Sequence, residues 1–295
     1  MMGAPQEASS PVAVTIETFD GCALIASQFG EAKKGAIILS HGGGQTRHAW
    51  SGAARTFERA GYFVLCPDLR GHGDSDRAPN SIYSYQDYAR DSLELSDWVA
   101  ESVGVKPHLI GASLGGVAGL VAAGQLRHDG FTSLTLVDVA PKISRQEFES
   151  IRKFMLDGAR RGFEDLSEAA NFLSGHVPRP NSRSATDYSG LKRNMRQGKD
   201  GRWRWHWDPA FVETLYVAPE KFEQELVMSA KNLNMPVHFM RGSESKLVTQ
   251  ESARHFCELA PQIHYTEIEG ARHMMTGDQN DIFVEAALSF LGRLE

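Results

Sequence analysis

The sequence predicts an α/β protein, built on one mostly parallel sheet of eight strands with helices on both faces and a helical insertion. Three observations carry this reading. Short apolar runs rich in β-branched residues alternate with longer amphipathic stretches, as expected of a sheet covered on both sides. Gly111-Ala112-Ser113-Leu114-Gly115 stands where one apolar run gives way to a helical pattern. Between Pro141 and Pro236 the alternation stops and polar, helical, Trp-rich sequence takes its place.

The elements follow in order. Runs at 12–18 and 22–27 flank Asp20-Gly21, a turn signal that predicts an opening hairpin. Residues 36–40 and 62–66 read as buried strands with a helix between them, each ending in a loop marked by Gly or Pro. Apolar residues recur at helical spacing over 85–103, a short strand at 108–111 feeds a helix starting near Leu114, and 134–139 is the next strand. Beyond the insertion, 236–240 and 263–268 complete the sheet and 281–294 closes the chain as an amphipathic helix. The predicted domains are therefore a core over 1–140, a helical cap over 141–234 and the rest of the core over 235–295. Residues 1–11 read as a short mobile tail, and no internal repeat is present.

Composition narrows the function. With 295 residues, 41% hydrophobic and 23% charged, the chain can bury one large core. A net charge of -6 offers no footprint for nucleic acid or an anionic membrane. The three cysteines, Cys22, Cys66 and Cys257, make no disulfide framework, so a reducing cytoplasm is expected, and no apolar run is long enough to span a bilayer. The expected partner is a small-molecule substrate, with a homodimer allowed.

The chemistry centres on Ser113. In a G-x-S-x-G turn between strand and helix, the glycines permit a sharp reversal that leaves the serine hydroxyl exposed above the sheet. A serine needs an adjacent base, and His273, between the last strand and the last helix, stands in the right place and chain order. His41-Gly42-Gly43-Gly44 follows the third strand, where backbone donors for an oxyanion belong. The amides of Gly43 and Leu114 are the predicted pair, with Gly44 as the substitute for Gly43. The loop at 67–75 reads as structural, with Arg70 and Asp74 bonding the scaffold, while His108 and His238 read as core residues. No zinc spacing, phosphate loop or dinucleotide fingerprint occurs, so neither cofactor nor metal is expected.

At His41-Gly42-Gly43-Gly44-Gln45-Thr46-Arg47-His48, at Asp68-Leu69-Arg70-Gly71-His72-Gly73-Asp74-Ser75-Asp76 and at Gly111-Ala112-Ser113-Leu114-Gly115-Gly116 the chain resembles the α/β-hydrolase superfamily, specifically its capped bacterial serine hydrolases. Arg202-Trp203-Arg204-Trp205-His206-Trp207 and Arg272-His273-Met274 also resemble that group. The resemblance implies a Ser-His-acid triad, yet where relatives carry an aspartate after the strand beyond the cap this chain has Lys246. Two carboxylates can replace it, Asp138 at the end of the strand before the cap or Glu244, and Asp138 is preferred because a strand end is held more firmly than a loop.

The implied activity is cleavage of a carboxylic ester through an acyl-enzyme. The alternatives are carbon-carbon bond hydrolysis of ring-cleavage type, whose enzymes usually carry Trp where this chain has Met274, and a ligand-binding relative weakened by Lys246. Trp205 and Trp207 are candidate substrate contacts, although packing within the cap would equally explain them, and Arg183, Lys192 and Arg193 are candidates for a substrate carboxylate.

Overall fold

A computed structural model describes residues 10–174, 188–215, 219–273 and 280–294. Strands β1 (Val12–Glu17) and β2 (Ala23–Phe29) pair antiparallel across the Asp20-Gly21 turn, where Gly21 takes a φ of 79°. Then come β3 (Gly35–Ser40), β4 (Tyr62–Pro67), β5 (His108–Ala112), β6 (Leu134–Val137), β9 (Val237–Gly242) and β10 (Ile263–Ile268). They form one eight-stranded sheet in the order β1-β2-β4-β3-β5-β6-β9-β10, parallel from β4 onward. This is the predicted α/β-hydrolase architecture.

Alternation sorts the side chains into two layers. In β3, Ile37 and Leu39 join the cluster under α1 (Ser51–Arg59) and α10 (Asn280–Leu291), whereas Ala36 and Ile38 join the larger cluster on the other face. That second face is covered by α2 (Tyr85–Val103), α3 (Leu114–Val121) and α9 (Gln250–Leu259). Strands β4, β6 and β9 are buried along their whole length; β4 accordingly appears in the sequence as an apolar run, whereas β6 and β9 also bury Thr135, His238 and Arg241. Ser84 caps α2 by accepting from the Asp87 amide, and Gly104 ends it at a φ of 75°.

One predicted strand is shorter than expected. The reading of 134–139 overshot, because Asp138 turns into the left-handed region at a φ of 52° and stops the ladder at Val137.

The segment between β6 and β9 differs from a purely helical insertion. It holds α4 (Arg145–Arg161), α5 (Leu166–Ser174), α6 (Ser189–Arg193), α7 (Pro209–Leu215) and α8 (Pro219–Lys231), together with a small antiparallel hairpin of β7 (Met195–Gln197) and β8 (Trp203–Trp205). Helix α8 lays Leu226 and Ala230 into the main core cluster, so this last helix packs on the sheet layer. The rest is stitched to the loop after β4. Asp208 donates its amide to the Gly71 carbonyl at 2.7 Å, Gly73 donates to the His206 carbonyl at 2.7 Å, and the Tyr83 hydroxyl donates to Asp208 Oδ2 at 2.9 Å.

That loop is itself clamped. Arg70, 1% exposed, bonds Asp91 on α2 through two contacts of 2.6 Å and also pairs with Asp20 in the first turn. Gly73, at a φ of 57°, passes so close to the Asp68 carboxylate that any side chain there would collide with it.

Candidate active site

Ser113 sits between β5 and α3 at φ 46° and ψ -116°, a conformation that costs roughly 1–3 kcal/mol for a residue with a side chain. The surroundings hold it there. The Ser113 amide donates to the Val137 carbonyl at 3.3 Å, and its own carbonyl accepts from Val117 at 2.9 Å. The turn must be tight, since a Cβ at Gly111 would fall 2.6 Å from the Gly115 backbone and one at Gly115 would fall 2.6 Å from the Ser40 carbonyl oxygen.

Asp138, 2% exposed, is the carboxylate that meets the imidazole. His273 Nδ1 donates to Asp138 Oδ2 at 2.6 Å, which fixes the tautomer because an ionised carboxylate can only accept. The same oxygen accepts from the Ser245 hydroxyl at 2.6 Å, and the Ser245 oxygen in turn accepts from the Val248 amide at 3.1 Å. The Asp138 amide donates to Met240 at 2.7 Å, so the bend that ends β6 is tied to β9. Glu244 is exposed and accepts from Arg272 Nε at 2.8 Å, and Lys246 is exposed as well. Ser245 was not among the residues singled out from the sequence. A serine in a polar loop carries no signal until the fold sets it beside a buried carboxylate.

The glycine loop is built on two buried histidines. His41 Nδ1 donates to the Gly42 carbonyl at 2.8 Å and its Nε2 accepts from the Leu69 amide at 3.0 Å. His72 Nδ1 donates to the Arg70 carbonyl at 3.0 Å while its Nε2 accepts from the Gly44 amide at 3.1 Å. Burial pushes the His41 imidazole down to about 4. Burial, and after it the neighbouring His41, pushes His72 down to about 3. Both rings are therefore neutral at pH 7 and keep the lone pair that accepts a backbone N–H.

These bonds separate the loop amides that already have an acceptor from those that do not. The Gly44 amide is taken by His72 and the Gly42 amide donates to Gln45 Oε1 at 3.0 Å, whereas among the described residues nothing accepts from the amides of Gly43 and Leu114.

A cavity of about 190 Å³ opens over Ser113. Gly43, Leu114, Asp138 and His273 contribute to its wall, and Phe148, Ile151, Met155, Trp205 and Trp207 close over it from the insertion. Trp205 and Trp207 also pack within the insertion, with ring centroids 5.4 Å from Phe163 and 5.3 Å from Phe211 respectively. The remaining charged groups lining the cavity are Arg145 and Glu223, which pair with each other at 3.8 Å. Lys192 and Arg193 line a separate cavity away from Ser113, and Arg183 and Met274 lie outside the described residues. No helix among the described residues is long and apolar enough to cross a membrane.

The model of the alpha/beta hydrolase fold family matches residues 35–278. A 2-(acetamidomethylene)succinate hydrolase of Mesorhizobium japonicum is 24% identical over 78% of this chain and 78% of its own length. An esterase of Mycobacterium tuberculosis is 25% identical over 84% of this chain and 80% of its own. Among solved structures, an E-2-(acetamidomethylene)succinate hydrolase superposes with a TM-score of 0.82 at 22% identity, covering 96% of this chain and 100% of that one. The fold is shared throughout, while identity at this level carries no substrate across.

Proposed function

We propose, on the premise that this chain belongs to the α/β-hydrolase fold family, that it hydrolyses a carboxylic ester through an acyl-enzyme on Ser113. The observation that carries the reading is the 2.6 Å contact between His273 Nδ1 and Asp138 Oδ2, at the edge of the cavity that Ser113 also lines. With Nδ1–H held by the carboxylate, the Nε2 lone pair is left to take the serine proton. Ser113 Oγ attacks the carbonyl carbon, and the oxyanion that forms is met by the Gly43 and Leu114 amides. The imidazolium then returns its proton to the leaving alcohol. Water, deprotonated by the same nitrogen, releases the acid and restores the serine.

The apolar wall supports an acyl or alkyl group without charge. Arg145 and Glu223 offset one another, and an unpaired ionic group placed among the phenylalanines and tryptophans would lose its hydration without compensation. Esterase and hydrolase relatives agree with this class of reaction. The Asp138 contact also supports an enzyme over a ligand-binding relative, since the imidazole has its carboxylate despite Lys246.

The test is a p-nitrophenyl ester series of increasing acyl length together with a fluorophosphonate probe. Turnover of short or medium esters, with labelling confined to Ser113, is the expected result. An inert protein that leaves the probe unreacted would overturn the reading.

A further inference from the structure

A second cavity, of about 360 Å³, lies behind the oxyanion loop and the stretch around His206. Its wall is cationic. Arg47 comes from the core loop after β3, Lys192 and Arg193 from α6, and Arg196 from β7, with His48 and His206 beside them. Asp74 is the one carboxylate in that wall among the described residues. It accepts from Arg47 at 2.8 Å and is also paired with Arg196, and Arg47 is shared with the buried Asp68. Lys192 and Arg193 are exposed and have no carboxylate partner among the described residues. A chain of net charge -6 thus gathers four cations around one cavity against a single lining acid.

We propose that this cavity binds a phosphate-bearing anion between the core and the insertion. The cations approach from three elements. A tetrahedral phosphate presents acceptor oxygens on several sides, and a guanidinium fork meets them bidentately, whereas a planar carboxylate offers only one edge. Arg47 offers no open fork, since its Nε donates to Ser27 Oγ at 3.2 Å and its two terminal nitrogens pair with Asp68 and Asp74; it offsets those carboxylates and leaves the anion to the other cations. Its side chain is 11% exposed and fixed by these partners, so it contributes a rigid wall and charge balance to the cavity. Lys192 and Arg193 supply the charge that no internal carboxylate offsets. The site stands independently of the esterase reading, since Ser113 and His273 lie in the other cavity.

Calorimetric titration of the full chain with inorganic pyrophosphate, in chloride buffer of matched ionic strength, tests it. One-to-one binding is expected in wild type and equally in Ser113→Ala. Lys192→Glu and Arg193→Glu should each weaken it by about tenfold, as the loss of one charge-assisted contact implies. Both side chains are exposed, so circular dichroism should show the fold retained. Glycerol 3-phosphate in a parallel titration separates an organic phosphate ester, if it binds more tightly than pyrophosphate, from a free inorganic anion, if it binds less tightly. Absence of binding at millimolar pyrophosphate, or an unchanged affinity in the doubly reversed variant, would overturn the proposal.

Discussion

Trp205 and Trp207 line the apolar cavity over Ser113, whereas His206 between them lines the cationic cavity behind. The glycine loop after β3 divides in the same way, with Gly43 and Gly44 on the first side and Thr46, Arg47 and His48 on the second. Two short backbone segments therefore wall two cavities of opposite character. In the first, the charged side chains of the wall are paired, Asp138 with His273 and Arg145 with Glu223. In the second, cations are in surplus. The contrast teaches that alternation along a short stretch can set a largely apolar cavity, its few charges paired, directly against a wall in which cations are in surplus.

Substitutions can break or sharpen this contrast, beginning with the largest effect. Ser113→Ala should lower ester turnover by about 10⁶-fold while leaving the cationic cavity intact, as removal of a serine nucleophile does elsewhere. A steady-state assay with the best p-nitrophenyl ester reads it. Asp138→Asn should cost about 10⁴-fold in kcat, because the imidazole loses both its tautomer control and the stabilisation of its cation. Glu244→Gln, which disturbs only an exposed pair with Arg272, should change kcat less than about twofold. Equal, small losses in the two variants would remove Asp138 from the mechanism.

His72→Ala should lower kcat by about 10²-fold without comparable change in KM. It removes the acceptor that holds the Gly44 amide, and the neighbouring Gly43 donor then loses its aim. A loss confined to KM would point to a role in substrate binding instead.

Acid should destabilise the fold through the same histidines. Buried, His41 titrates near 4 and His72 near 3, while both return to 6.5 when unfolded, so the unfolded chain binds more protons throughout the interval. The stability they confer is complete above pH 6.5 and is lost as pH falls toward 4. At pH 5 the loss is about 2 kcal/mol for each. Urea unfolding at pH 7 and pH 5 measures it, and His72→Gln should flatten the dependence by about one proton. The smallest effect belongs to Lys192→Glu with Arg193→Glu, which should leave turnover of an uncharged ester within about twofold of wild type. A large loss there would mean that the two cavities act together.

Much of the fold was legible because the relevant interactions are local or periodic. The buried strands announce themselves as apolar runs, α2 shows its spacing and its Ser84 cap, and the glycines around Ser113 mark a turn that admits nothing larger. The hairpin of β7 and β8 escaped because each strand has only three residues, too few for a period of two to stand out, although Trp203-Arg204-Trp205 carries the alternation. The end of β6 escaped for another reason. Nothing local marks Asp138 for a left-handed turn; the hydrogen bonds to Met240, Ser245 and His273 hold it there.

By itself the sequence determined the order of strands and helices, the position of the Ser113 turn and the glycine-rich loop that faces it. Those features depend on periodicity, on turn chemistry and on residues without a side chain, all of which operate over a few positions. The tertiary structure alone decided which carboxylate reaches His273, which glycine amide is left unbonded, and on which side of the 205–207 stretch the charges gather. The first two outcomes depend on pairs 135 and 28 positions apart in the chain and within about 3 Å in space, and the third on cations drawn from residues 47 and 192–196; only packing brings such groups together.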